Sequence, residues 1–171
     1  MTTTTLGELA QSYAASPGPR TLDALRSAVR GSRNFRGQAA LRATLTDLRT
    51  RGDHEGVVRV VRAAMPGAFF SAQAHGLLAQ AYAALGDTER ADKERRIARL
   101  AVASVLRTGD GTPDQPWSVL HLSDELDVLE ALGRTSSSQR LVARGEHRFD
   151  VLTCGDEEAW FDITALATGA R

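Results

Sequence analysis

The chain has 171 residues, 42% of them hydrophobic and 25% charged, with a formal net charge of zero. That length and balance describe a globular protein able to bury a core without disulfide or metal staples. No stretch approaches the ~18 consecutive apolar residues of a membrane span, the start MTTTTLGELAQSYAAS has neither the basic nor the apolar region of a signal peptide, and Cys154 is the only cysteine, which leaves no internal disulfide and suits the reducing cytoplasm.

In chain order, apolar residues first recur at helical spacing between breakers. LGELAQSYAA ends at Ser16-Pro17-Gly18-Pro19, and TLDALRSAVR follows with Thr21 as a cap and stops at Gly31. GQAALRATLTDLRTRG, DHEGVVRVVRAAMPG, SAQAHGLLAQAYAALG and DTERADKERRIARLAVASVLRTG come next, each opened by a polar or capping residue or closed by glycine. The last of these has a charged first half and an apolar second half, IARLAVASVL, that needs cover.

Two of these segments repeat. Gly52-Asp53 recurs as Gly86-Asp87, and the same offset aligns Glu55 with Glu89, Val57 with Ala91, Ala64 with Ala98 and Leu48 with Tyr82. Leu78, Ala79, Tyr82, Gly86, Ala91 and Ala98 in the second copy resemble the tetratricopeptide repeat, a helical hairpin whose period matches that offset. Arg95 departs from it, standing where an aromatic is usual, and no proline closes the unit. The resemblance implies stacked antiparallel hairpins with a groove lined by the first helices, at Arg42, Thr46, Arg49, Gln73 and Gln80. Arginine and glutamine side chains there suit a peptide carboxylate or backbone. The alternative is a solvated face, or one covered by the chain's own acidic half.

TGDGTPDQPW (108–117) then joins two regions. As a calcium loop it fails, because Gln115 takes the place of the glycine and His121 that of the bidentate glutamate. It lacks the Gly-Lys-Ser/Thr ending of a phosphate loop. Asp-Gly and Thr-Pro are turn chemistry, so the loop reads as a joint with Trp117 anchoring a following strand.

Beyond it the period changes to two. WSVLHL (117–122) reads as a strand, SDELDVLEALG (123–133) as a short helix capped by Ser123, and QRLVARGEHRFDVLTCGDEEAWFDITAL as strands with turns at Gly145-Glu146 and Gly155-Asp156. The fold class expected is α+β: helical hairpins over residues 1–107 and a small antiparallel β meander with one short helix over 108–171, packed as a cap on the helices. TGDGTPDQPW, SDELDVLEALG and FDVLTCGDEEAWFDIT together resemble the C-terminal part of an uncharacterised bacterial family of unknown function, over roughly residues 70–166, with Leu126 standing where that pattern has an aromatic. This resemblance implies an architecture and no activity.

Charge divides the same way. Residues 1–107 hold 16 basic and 9 acidic groups, and residues 108–171 hold 5 and 12. Docking of the two halves explains this division, and so does an acidic half that masks a partner, as immunity or antitoxin-like proteins do. The arginines are scattered among acids with no basic run, which argues against nucleic acid.

Chemistry is thin. The histidines show no metal-ligand spacing and no nucleophile elbow is present, so neither cofactor nor metal is expected. The strongest acidic candidate is a site of Asp110, Asp150 and Asp162, in which a three-residue turn at 155–157 sets Asp150 opposite Asp162. Against it stands a register shifted by one, or neutralisation by Arg140 or Arg148. The leading expectation is a non-enzymatic cytoplasmic module that binds a protein or peptide through the helical groove, the alternative an enzyme or metal site around the C-terminal aspartates.

Overall fold

The computed structural model describes residues 5–16, 18–35 and 38–167. Helices come first: α1 (Leu6–Ala15), α2 (Pro19–Arg30), α3 (Gln38–Thr50), α4 (His54–Ala63), α5 (Ala72–Ala84) and α6 (Thr88–Leu106). β1 (Trp117–Ser118), α7 (Ser123–Ala131), β2 (Ser138–Arg144), β3 (His147–Cys154), β4 (Glu157–Asp162) and α8 (Thr164–Ala167) follow. The fold is α+β, helices first and strands last.

The offset between the two Gly-Asp pairs has a local structural basis. It carries the start of α3 at Gln38 onto the start of α5 at Ala72, and the end at Thr50 onto the end at Ala84. It also carries the start of α4 at His54 onto the start of α6 at Thr88. After α3 the Asp53 N–H donates to the Leu48 carbonyl at 2.9 Å and the Gly52 N–H to the Arg49 carbonyl at 3.1 Å. After α5 the Asp87 N–H reaches the Tyr82 carbonyl at 2.8 Å and the Gly86 N–H the Ala83 carbonyl at 3.1 Å. This paired closure needs a left-handed residue past the helix, and Gly52 (φ +69°) and Gly86 (φ +79°) supply it. Each aspartate then caps the next helix, Asp53 Oδ1 accepting from the Gly56 N–H at 2.7 Å and Asp87 Oδ1 from the Arg90 N–H at 2.9 Å.

The chain divides into two compact units, the first running up to Phe70 and including Ala74–Ala98, the second comprising Ser71–Gln73 and the chain from Arg99 onward. The boundary lies inside α6, earlier than the residue 107 that composition suggests. In the first unit Val57, Val61, Leu78, Tyr82 and Ala91 build the core, with Leu45 and Leu48 of α3 packed against it. Asn34 fastens the chain after α2 to the end of α4, its Nδ2 donating to the Ala63 and Met65 carbonyls at 2.9 Å each.

In the second unit the sheet has the order β1-β4-β3-β2. β2, β3 and β4 form the expected antiparallel meander, but β1 pairs parallel with β4, so the sheet is mixed. The strand expected over 117–122 stops at Ser118: the Val119 N–H still donates to the Asp162 carbonyl at 3.2 Å, and the Asp124 carboxylate then accepts through Oδ2 from the Leu120 and His121 N–H groups, both at 2.9 Å. That carboxylate also explains why Ser123 is not the cap of α7, a place Leu122 holds without a side-chain bond.

One face of the sheet carries Leu152, Ala159 and Phe161 into a core with Val119, Val128, Leu129 and, from α6, Val105. The last turns of α6, Val105 with Val102 and Leu106 beside it, are thus covered within this unit, while Leu100 stays exposed. The opposite face carries Phe149, Val151 and Trp160, and the Arg140 and Arg144 guanidinium groups lie 5.4 and 4.5 Å from the Trp160 ring.

Loop 108–117 forms the turns its residues indicate, but it lies within the second unit and not between the two units. The Gln115 carbonyl accepts from the Asp110 and Gly111 N–H groups at 2.9 and 3.0 Å, and Trp117 Nε1 donates to the Gly109 carbonyl at 3.0 Å. The Trp117 ring lies so close to Gly111 that a Cβ there would sit 2.4 Å from it.

Candidate functional site

Of the groove positions, Thr46 and Arg49 are exposed on α3 and Gln80 is exposed on α5. Thr46 and Gln80 are related by the repeat offset, so they occupy equivalent places on two helices with the same closing turn. One turn before Gln80, a Cβ built on Gly76 meets nothing within 4 Å. Gly76 is half-buried, yet the place of its missing Cβ is open, and glycine inside a helix costs about 1 kcal/mol relative to alanine. No packing contact explains it. The Arg42 side chain lies outside the described residues, and Gln73 is exposed but belongs to the second unit. Thr46, Arg49 and Gln80 are thus exposed within the first unit, while Gln73 lies in the second.

A buried polar network in the first unit holds these helices. Glu94 of α6 is fully enclosed. Its Oε2 lies 2.6 Å from His75 Nδ1 of α5, and its Oε1 accepts from Arg62 Nη2 of α4 at 2.7 Å. His75 Nε2 faces the Phe69 carbonyl at 3.0 Å. Both imidazole nitrogens thus face oxygen atoms, one on α6 and one in the chain before α5. Arg62 and Arg90 flank the Tyr82 ring at 5.9 and 5.0 Å. This is a buried polar contact reaching across helices, which no local spacing reveals.

In the second unit the acidic candidates separate. Cys154 pairs with Glu157, so the β3–β4 turn holds two residues, and Asp150 lies opposite Phe161 while Phe149 lies opposite Asp162. The expected opposition of Asp150 and Asp162 is corrected by one residue of register, which puts them on opposite faces of the sheet. Asp162 Oδ1 accepts from the Thr164 N–H at 2.9 Å at the start of α8. Asp110 is in the loop before Trp117, where hydrogen bonds from the Thr112 side chain and backbone hold its carboxyl below the usual range. The three aspartates form no common site. Neither arginine neutralises Asp150: Arg140 meets Glu158 at 2.7 Å, and Arg148 donates to the Gly145 and His147 carbonyls.

Asp150 meets a different acid, Glu125 of α7. Both are buried, and Gln139 Nε2 donates to Asp150 Oδ2. Glu125 Oε1 and Asp150 Oδ1 have no hydrogen-bond partner beyond the contact between the two carboxyls. Burial first, and then the Asp150 charge, pushes Glu125 up to about 8, so near neutrality it is a carboxylic acid able to donate to Asp150. Burial and the Asp124 charge likewise push Asp127 up to about 6. The signal was available in SDELDVLEA: Asp124, Glu125, Val128 and Leu129 share one helix face, so two carboxyls go inward with the apolar pair.

Among the described residues no group of three or more His, Cys, Asp or Glu is arranged to hold a metal ion. His121 is buried with Nδ1 3.5 Å from Asp124 Oδ1. Among the described residues no helix is long and apolar enough to cross a membrane. No family model, curated protein or solved structure matches the chain.

Proposed function

We propose that this chain is a non-enzymatic interaction module of the cytoplasm, resembling tetratricopeptide hairpins, that holds a protein or peptide segment against the α3 and α5 face. The observation that carries this reading is the open strip of α5 at Gly76 and Gln80, matched at the repeat offset by the exposed Thr46 of α3. Gly76 gives a partner close access to helix backbone. Gln80 offers a donor and an acceptor to an extended main chain, and Arg49 offers a fork for a carboxylate. The lone cysteine fits a reducing compartment.

The enclosed polar groups support this reading over a catalytic one. Glu125 and Asp150 face each other inside protein, and Glu94 is spent on His75 and Arg62. These are arrangements that position elements, and neither presents a reactive group on an open surface.

The test is affinity purification of wild type beside Arg49→Glu/Gln80→Glu. Both positions are exposed, so the variant folds, and partners held by this face are lost. Retention of every wild-type partner by the variant contradicts the assignment.

A further inference from the structure

The last strand in the sheet order is β2, and among the described residues nothing pairs with its outer edge. An open strand of seven residues is a liability that proteins normally blunt. Here it carries Leu141, 76% exposed, at its centre.

The register fixes what this edge offers. Arg144 and His147 close a two-residue hairpin, so they form a hydrogen-bonded pair, and alternation makes Leu141–Asp150 a pair of the other kind. The backbone N–H and C=O groups of Gln139, Leu141 and Ala143 therefore point outward. Side chains of those three residues lie on the Asp150 face, while Arg140, Val142 and Arg144 lie on the Trp160 face.

The two faces differ in chemistry. On the Asp150 face, α7 covers β3 through the Glu125 contact but leaves Leu141 bare. Leu122 and Leu126, 63% and 61% exposed, adjoin Glu125 on α7, three residues before it and one after. They add exposed apolar surface beside Glu125. On the Trp160 face stand two exposed arginines, held by Trp160 and by Glu158. β2 contains no acidic residue.

We propose that β2 accepts an extended partner segment as a fifth strand, one alternating apolar and acidic residues. The apolar side chains lie beside Leu141, and the acidic ones meet Arg140 and Arg144 on the far face. Main-chain bonds to residues 139, 141 and 143 supply affinity, and alternation supplies selectivity. This surface belongs to the second unit and is independent of the α3 and α5 face.

The experiment uses the full chain and a fluorescein-labelled peptide alternating valine and glutamate, with a valine and lysine peptide as control, read by anisotropy. The acidic peptide binds saturably and the lysine peptide at least about tenfold more weakly. Leu141→Lys removes the apolar contact, and Ala143→Pro removes an outward N–H while sparing the β3 ladder. Each weakens binding about tenfold or more, while Arg49→Glu/Gln80→Glu leaves it unchanged. No saturable binding of the acidic peptide, equal binding of the lysine peptide, or unchanged affinity in both β2 variants overturns the proposal. So does sedimentation showing a wild-type dimer that Leu141→Lys converts to monomer, which assigns the edge to a second copy of the chain.

Discussion

The Glu125 and Asp150 side chains meet carboxyl to carboxyl inside the second unit, and neither Glu125 Oε1 nor Asp150 Oδ1 has a further partner. One proton suffices to turn that repulsion into a hydrogen bond between α7 and β3. Glu125 rises from an ordinary 4.5 to about 8 on folding, so between those values the folded chain holds a proton that the unfolded chain releases. The stability this proton confers is complete below about pH 4.5 and is lost as pH rises through 8. The slope is about 1.4 kcal/mol per pH unit for one proton. Asp127, raised from 3.8 to about 6, adds to the same trend at the acid end. Denaturant melts from pH 5 to 9 therefore show stability falling with pH. Glu125→Gln, which keeps a donor for Asp150, flattens the trend and is the more stable protein at pH 9. A wild-type profile flat over this range contradicts the shared proton.

The Glu94 network gives a second expectation. Glu94→Leu removes the acceptor that faces His75 and Arg62 and costs about 1–3 kcal/mol, the range for leaving a buried hydrogen-bonding group unsatisfied. The double variant His75→Leu/Glu94→Leu loses less than the sum of the two single changes, with a coupling of about 1–3 kcal/mol. Urea midpoints measure it, and additive losses sink the pairing.

Glycines on one helix–turn segment are expected to respond with opposite signs. Gly86→Ala forces a Cβ into φ +79° and costs about 1 kcal/mol or more. Gly76→Ala, earlier on the same helix and in open space, adds helix propensity and stabilises by about 0.5–1 kcal/mol. Thermal melts of the two variants decide it. If Gly76→Ala destabilises, that strip of α5 is covered.

Much of the fold was legible because its signals are local. Gly-Asp pairs at a fixed offset encode a helix stop and the next cap, and both turns form as read. The change from helical to alternating period placed the meander, and the loop before Trp117 forms the turns its residues indicated, although the boundary between the units lies earlier, inside α6. What escaped depends on partners distant in sequence. The parallel pairing of β1 with β4, the capture of Leu120 and His121 by Asp124, and the His75–Glu94 contact each join residues whose proximity no periodicity encodes. The acidic site failed on a single residue: a two-residue turn instead of three sends Asp150 to Glu125 and Asp162 to the start of α8.

The central claim, that the α3 and α5 face holds a partner, is tested most directly by site-specific photo-crosslinking in cells. A benzophenone side chain is placed at Thr46, at Gln80, or at the exposed Arg59 of α4 as control. Adducts of one common protein at Thr46 and Gln80, absent at Arg59, are the result the account expects. No adduct at either position, or the same adduct from all three, contradicts it.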